Sequence, residues 1–168
     1  MHGWHMALLP YLEEQALFEQ VDLSRAWNHP VNRLPMATPV HHFLRKENRS
    51  TPLPELSGSY AVSQVAGNRL LFGDASIQSF DDVTDGLSST VMAGNAAGQF
   101  LPWGHPLGWR GSEFVPNEDD RGFGSGHQGG CHVLMADGAV KFVTDSIDRP
   151  LWEVLFTPQG GEKIPDSL

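Results

Sequence analysis

Residues 131–143, CHVLMADGAVKFV, decide the fold. Two runs rich in strand-forming residues flank Asp137-Gly138, and Asp-Gly suits a two-residue hairpin turn with positive φ at both positions. That turn predicts a register in which Ala136 faces Ala139, Met135 faces Val140 and Val133 faces Phe142. Cys131, Val133, Met135, Val140 and Phe142 then share one apolar face, with His132 and Lys141 on the other. Turn chemistry and hydrophobic pattern agree, so the stretch predicts a β-hairpin within an antiparallel sheet.

Downstream, residues 149–156 predict a short C-terminal helix. Asp148 stands at its cap position, Pro150 in its first turn, and Leu151, Trp152, Leu155 and Phe156 form an apolar stripe. Upstream, Thr90 to Ala93 predicts a strand, and Ser79 with Asp82 three residues on matches the capping box of one helical turn. Tyr60 to Val65, Leu70 to Phe72 and Val40 to Leu44 predict further short strands. Residues 46–58 predict a polar loop. At the start, LLPYLEEQALFEQV (8–21) predicts a helix whose apolar face is Leu8, Leu12, Leu17, Phe18 and Val21. Pro10 fits the first turn of that helix, and kinks it if the helix begins earlier. The expected class is α+β: an N-terminal helix on an antiparallel sheet, long Gly/Pro-rich loops and a short C-terminal helix, forming one domain over residues 1–168.

Composition excludes several functions. The chain has 168 residues, enough for a real core. Its formal net charge of -9 repels phosphate backbones, which excludes nucleic acid as an expected partner. No stretch approaches the roughly eighteen consecutive apolar residues that cross a bilayer. Met1, followed closely by Trp4, His5 and Met6, lacks the basic-then-apolar order of a signal peptide. Cys131 is the single cysteine, so neither an intrachain disulfide nor a Cys-rich zinc site is available.

Four blocks stand in a known order: LLPYLEEQALFEQVDLSRAWNHPVN near the start, VTDGLSSTVMAGNAA in the middle, FGSGHQGGCHVLMADGAVKFV and then LWEVLFTPQGGE near the end. Together they resemble a planctomycete family of unknown function with a prepilin-type N-terminus and a C-terminal H-x9-DG motif, here His127, nine residues, then Asp137-Gly138. The resemblance implies a pilin- or pseudopilin-like head in the cell envelope, working with other pilin-like subunits. It also implies a processed leader and a long apolar helix, neither of which is expected from the residues at 1–21. Asn95 stands where the family usually has Glu, and the family's Cys-Pro is missing near Phe43.

The motif itself is expected to be structural. If 131–136 is an extended strand, Asp137 lies about 20 Å beyond its start, too far for His127 and Asp137 to hold one ion. Asp137 and Gly138 make the turn; His127 caps or packs the loop before the strand. Gly122, Gly124, Gly126, Gly129 and Gly130 match no phosphate-binding loop and point to tight turns or close packing. Two acidic clusters, Asp81, Asp82 and Asp85, and Glu118, Asp119 and Asp120, are candidates for calcium, the second ahead of the first. Trp103, His105 and Trp109 are candidates for a polysaccharide-binding surface in the 94–125 loop, because exposed indole faces stack on sugar rings. No HExxH, no GxSxG and no oriented Cys–His pair is present. The leading expectation is a non-catalytic structural or assembly module without a cofactor. A carbohydrate-binding module and a metal-dependent enzyme with a dispersed site are the alternatives.

Overall fold

The computed structural model describes residues 1–48, 60–73 and 77–162. Most of the loop expected at 46–58 lies outside them. In chain order the elements begin with α1 (His5–Leu8), α2 (Gln15–Phe18), α3 (Arg33–Met36), β1 (Val62–Ser63) and β2 (Val65–Asn68). Then come α4 (Arg69–Phe72), β3 (Val91–Asn95), β4 (Leu101–Pro102) and β5 (Trp109–Arg110). The chain continues through β6 (Gly130–Met135) and β7 (Val140–Thr144) to α5 (Arg149–Val154). The fold is α+β, with two sheets and a few short helices. It divides into two compact units, Met1–Val65 with Phe100–Gly108, and Ala66–Gln99 with Trp109–Leu168.

In the first unit the expected helix over 8–21 is broken. The chain turns helical at His5, which places Pro10 beyond the first turn, where its ring and missing N–H disrupt the ladder. Leu9–Leu12 tightens into a 3-10 turn, Glu13 takes a left-handed φ of 63°, and α2 starts afresh. The break turns Leu9 inward, fully buried with Met6, Leu17, Val21, Met36, Val40, Phe43 and Trp103. The strand expected at Val40 to Leu44 is instead a 3-10 turn over His41–Phe43. β1 and β4 pair antiparallel, Val62 opposite Pro102.

His5 is buried at the centre of this unit. Its ring stacks on Trp4 at 3.9 Å and meets the edge of Phe43 at 4.8 Å. Nε2–H donates to the Val65 carbonyl at 3.0 Å. Nδ1 is therefore the bare nitrogen of a neutral imidazole, and among the described residues no donor reaches it.

The second unit carries the five-stranded sheet, in the order β5-β2-β3-β6-β7. It is mixed rather than purely antiparallel: β3–β6 and β6–β7 are antiparallel, whereas β2 and β5 run parallel. The core behind it comprises Val91, Phe123, Cys131, Val133, Met135, Val143, Trp152, Leu155 and Phe156, all buried. Trp152 packs edge-on to Phe156 at 4.6 Å and donates its Nε1–H to the Phe114 carbonyl at 2.7 Å, so the indole is buried without a wasted donor. α5 begins after Asp148, which makes no side-chain cap bond. Where a strand was expected at Leu70 to Phe72, the chain forms α4. Asn68 Oδ1 accepts the Leu70 N–H and caps the helix. The buried Asn68 amide also donates to the Val91 and Phe156 carbonyls at 2.8 and 2.9 Å, tying β2 to β3 and to the turn that follows α5. At Phe80–Asp82 the capping box forms as Ser79 and Asp82 predict.

The 131–143 hairpin forms, but its register is one residue away from the expected one. Cys131 faces Val143, His132 faces Phe142 and Val133 faces Lys141. The reason lies in the turn. Gly138 alone has positive φ, 90°, and Asp137 does not. Met135 N–H donates to the Ala139 carbonyl at 2.8 Å and Gly138 N–H to the Met135 carbonyl at 3.0 Å. This is the three-residue loop closed by a left-handed glycine, not the two-residue turn. One extra loop residue reverses every side chain on β7. Val143 enters the core, while Val140 and Phe142 are 66% and 54% exposed.

Candidate functional site

The residues of the H-x9-DG motif sit at opposite ends of β6. Residues 115–130 form a closed loop before the strand, and Asn117 is its staple. Its backbone is left-handed, φ 64°, a conformation Asn tolerates better than most residues. Its Oδ1 accepts the Ser125 N–H at 3.0 Å, and its Nδ2 donates to the His127 and Gly130 carbonyls at 3.0 and 3.2 Å. The buried Ser125 hydroxyl completes the closure, donating to the Gly130 carbonyl at 2.8 Å and accepting the His127 N–H at 3.1 Å. The loop thus holds the His127 backbone at both its N–H and its C=O, at an exposed position. Asn117 was missed in the sequence. A Pro-Asn pair entering a glycine-rich run is the signal that could have found it.

Asp137 is likewise bonded to backbone groups of Ala139 and Leu87. Its Oδ1 accepts the Ala139 N–H at 2.9 Å, and its N–H donates to the Leu87 carbonyl at 3.1 Å. His132 lies on the exposed face and meets Phe142 edge-on at 5.2 Å, whereas Cys131 is buried on the other face.

The carboxylates proposed for calcium face guanidinium groups. Both oxygens of Glu118 accept from Arg149 at 2.7 Å, and that hydrogen bond, followed by the Val115 N–H, holds its pKa below the ordinary range. Asp119 takes a two-pronged bond from Arg121 at 2.8 and 3.0 Å, which lowers its pKa to about 2. The Asp120 carbonyl accepts from Arg110 at 3.0 Å. Burial lowers the Arg110 pKa, and the nearby Asp120 and Asp119 oppose that. In the other acidic cluster, Asp82 caps its own turn, and Asp85 accepts the Gly160 and Gly161 N–H groups at 2.6 and 2.8 Å. Among the described residues no group of three or more His, Cys, Asp or Glu side chains is placed to hold a metal ion.

The proposed sugar platform loses its centre. Trp103 belongs to the core of the first unit, with its Nε1–H bonded to the Thr38 carbonyl at 3.1 Å, so no indole face is open to a ring. His105 is half-buried in that unit, its Nδ1 accepting the Leu107 N–H and its ring edge-on to Trp27 at 5.2 Å. Partial burial lowers its pKa. Trp109 is half-buried in the second unit, on β5 opposite Gly67.

A family model described as "Protein of unknown function (DUF1559)" matches residues 1–64 and 106–150, which is most of the chain. This chain belongs to the DUF1559 family. No curated protein and no solved structure matches it. In this DUF1559 chain the matched segment 106–150 spans the loop closed by Asn117, β6, β7 and the turn between them. No helix among the described residues is long and apolar enough to cross a membrane.

Proposed function

We propose that this DUF1559 chain is a non-catalytic structural or assembly module of a pilin-like system in the cell envelope, of the planctomycete type, acting through contacts with other pilin-like subunits and without a cofactor. The observation that carries the reading is where the motif spends its polar groups. His127 is held by its backbone, Asp137 caps its own turn, and Glu118 and Asp119 neutralise arginines of the same fold. Buried or bridged groups of this kind fix a shape; a reaction centre needs several of them turned toward one point. The pilin-like character itself rests on the order of the four sequence blocks.

Fractionation of the cells that encode the protein, probed with an antibody against this chain, tests the proposal. The expected result is recovery in the envelope fraction, cross-linked to pilin-like subunits. Recovery in the cytosol as a species without such subunits contradicts it.

A further inference from the structure

We propose that β7 is a self-association edge, at which two copies of this chain pair their β7 strands antiparallel about Val143. β7 closes one side of the five-stranded sheet, and among the described residues no strand lies beyond it. The orientation of its backbone follows from the bonds at its two ends. Asp145 N–H donates to the Gly129 carbonyl and Met135 N–H to the Ala139 carbonyl, so the odd-numbered residues of β7 face β6. Val140, Phe142 and Thr144 therefore direct their N–H and C=O groups outward. Thr144 gives one lone pair of its carbonyl to the Ile147 N–H and keeps the other.

Edges of this kind are usually blunted by proline, a bulge or a projecting lysine. Here the strand has no proline, and the Lys141 ammonium is drawn back onto the Ser88 carbonyl at 3.3 Å. Val140 and Phe142 stand exposed beside the strand, with His132 against the Phe142 ring.

Charge selects the occupant and the register. Antiparallel pairing about Val143 sets Lys141 opposite Asp145 of the second copy, twice, once on each side of the dyad; each Lys141 exchanges its long bond to Ser88 for the Oδ1 of that Asp145, whose Oδ2 stays on the Gly129 N–H. It sets Phe142 opposite Thr144, both with outward backbone groups, so each such pair can exchange two backbone bonds. The two Phe142 rings become diagonal neighbours, within reach for aromatic side chains. Pairing about Phe142 instead leaves Asp145 opposite Ala139 and brings the two Lys141 side chains diagonal to each other. The strand is thus complementary to itself in one register. A five-residue seam is small, which makes the dimer weak and concentration-dependent.

Sedimentation equilibrium of the chain over roughly 1–500 µM tests this. The expected result is a monomer–dimer equilibrium. Lys141→Asp and Asp145→Lys each weaken it about tenfold, because like charges then face each other at both pairs. The double swap restores it to within about threefold at unchanged net charge. Phe142→Lys, at a side chain more than half exposed in the monomer, keeps the thermal melt and abolishes the dimer. A monomer at every concentration overturns the inference. So does a dimer indifferent to Phe142→Lys or to the single charge reversals, or one that the double swap fails to restore. The inference stands apart from the envelope reading: a cytosolic dimer contradicts only that reading, and an envelope-bound monomer contradicts only this one.

Discussion

Gly130→Ala is expected to cost about 4 kcal/mol of folding stability, the sum of left-handed backbone strain and a forced steric shift. Gly130 opens β6 with a φ of 148°, and a methyl group there meets the Val143 carbonyl oxygen at 2.1 Å and Thr144 Cα at 2.8 Å. Both obstacles are backbone of the partner strand, so no rotamer change relieves them. The same residue's carbonyl accepts from Ser125 and Asn117, so displacing it also opens the loop that holds His127. Gly129→Ala is the control. Its φ is 98°, yet nothing lies within 4 Å of an added methyl group, so only the backbone cost of about 1–2 kcal/mol remains. Urea unfolding of both variants measures the difference. Equal losses, or a Gly130→Ala variant within about 1 kcal/mol of the parent, contradict the close approach.

The second large effect is a loss of stability in mild acid through His5. Burial, opposed in part by the Val65 carbonyl, lowers the His5 pKa from 6.5 to about 4. An unfolded chain takes up this proton near pH 6.5, whereas the folded chain refuses it until about pH 4. Between those values the unfolded state binds more protons, so stability rises with pH there. The contribution is complete above pH 6.5 and is lost as pH falls toward 4. At about 1.4 kcal/mol per pH unit the full loss is on the order of 3 kcal/mol. His105, also lowered by burial but less enclosed, acts in the same direction. Denaturant midpoints at pH 7 and pH 4.5 should separate widely for the parent chain and much less for His5→Phe, whatever that variant's absolute stability. An unchanged pH dependence in His5→Phe contradicts the assignment.

The sequence made the hairpin legible but not its register. Asp-Gly announces a turn, yet two- and three-residue loops both place glycine where Gly138 stands. The run VKFVT does not arbitrate, because Val140 and Phe142 on one face and Val143 on the other are all apolar. Tertiary cover decided: Val143 is buried among the core residues, and the other two face solvent. The break in the first helix was half-legible. Pro10 signalled a kink if the helix began early, but nothing local showed that it begins at His5. Leu70 to Phe72 reads as a strand from its apolar residues, whereas Asn68 is the cap that makes it α4. The surroundings of the candidate ligand residues were illegible for one shared reason. Whether Trp103 is open, or whether Glu118 and Asp119 are already paired with Arg149 and Arg121, depends on partners distant in sequence or on the path of the loop. Composition and spacing carry no record of either.

The central claim is that His127 and Asp137 serve two separate pieces of architecture at opposite ends of β6. A double-mutant cycle on folding stability, His127→Ala and Asp137→Ala, measures this directly. If the two side chains act apart, their costs add to within about 0.5 kcal/mol, with and without millimolar divalent cations or chelator. A coupling above about 1 kcal/mol, or one that appears only with a cation present, would mean that they hold a common ligand.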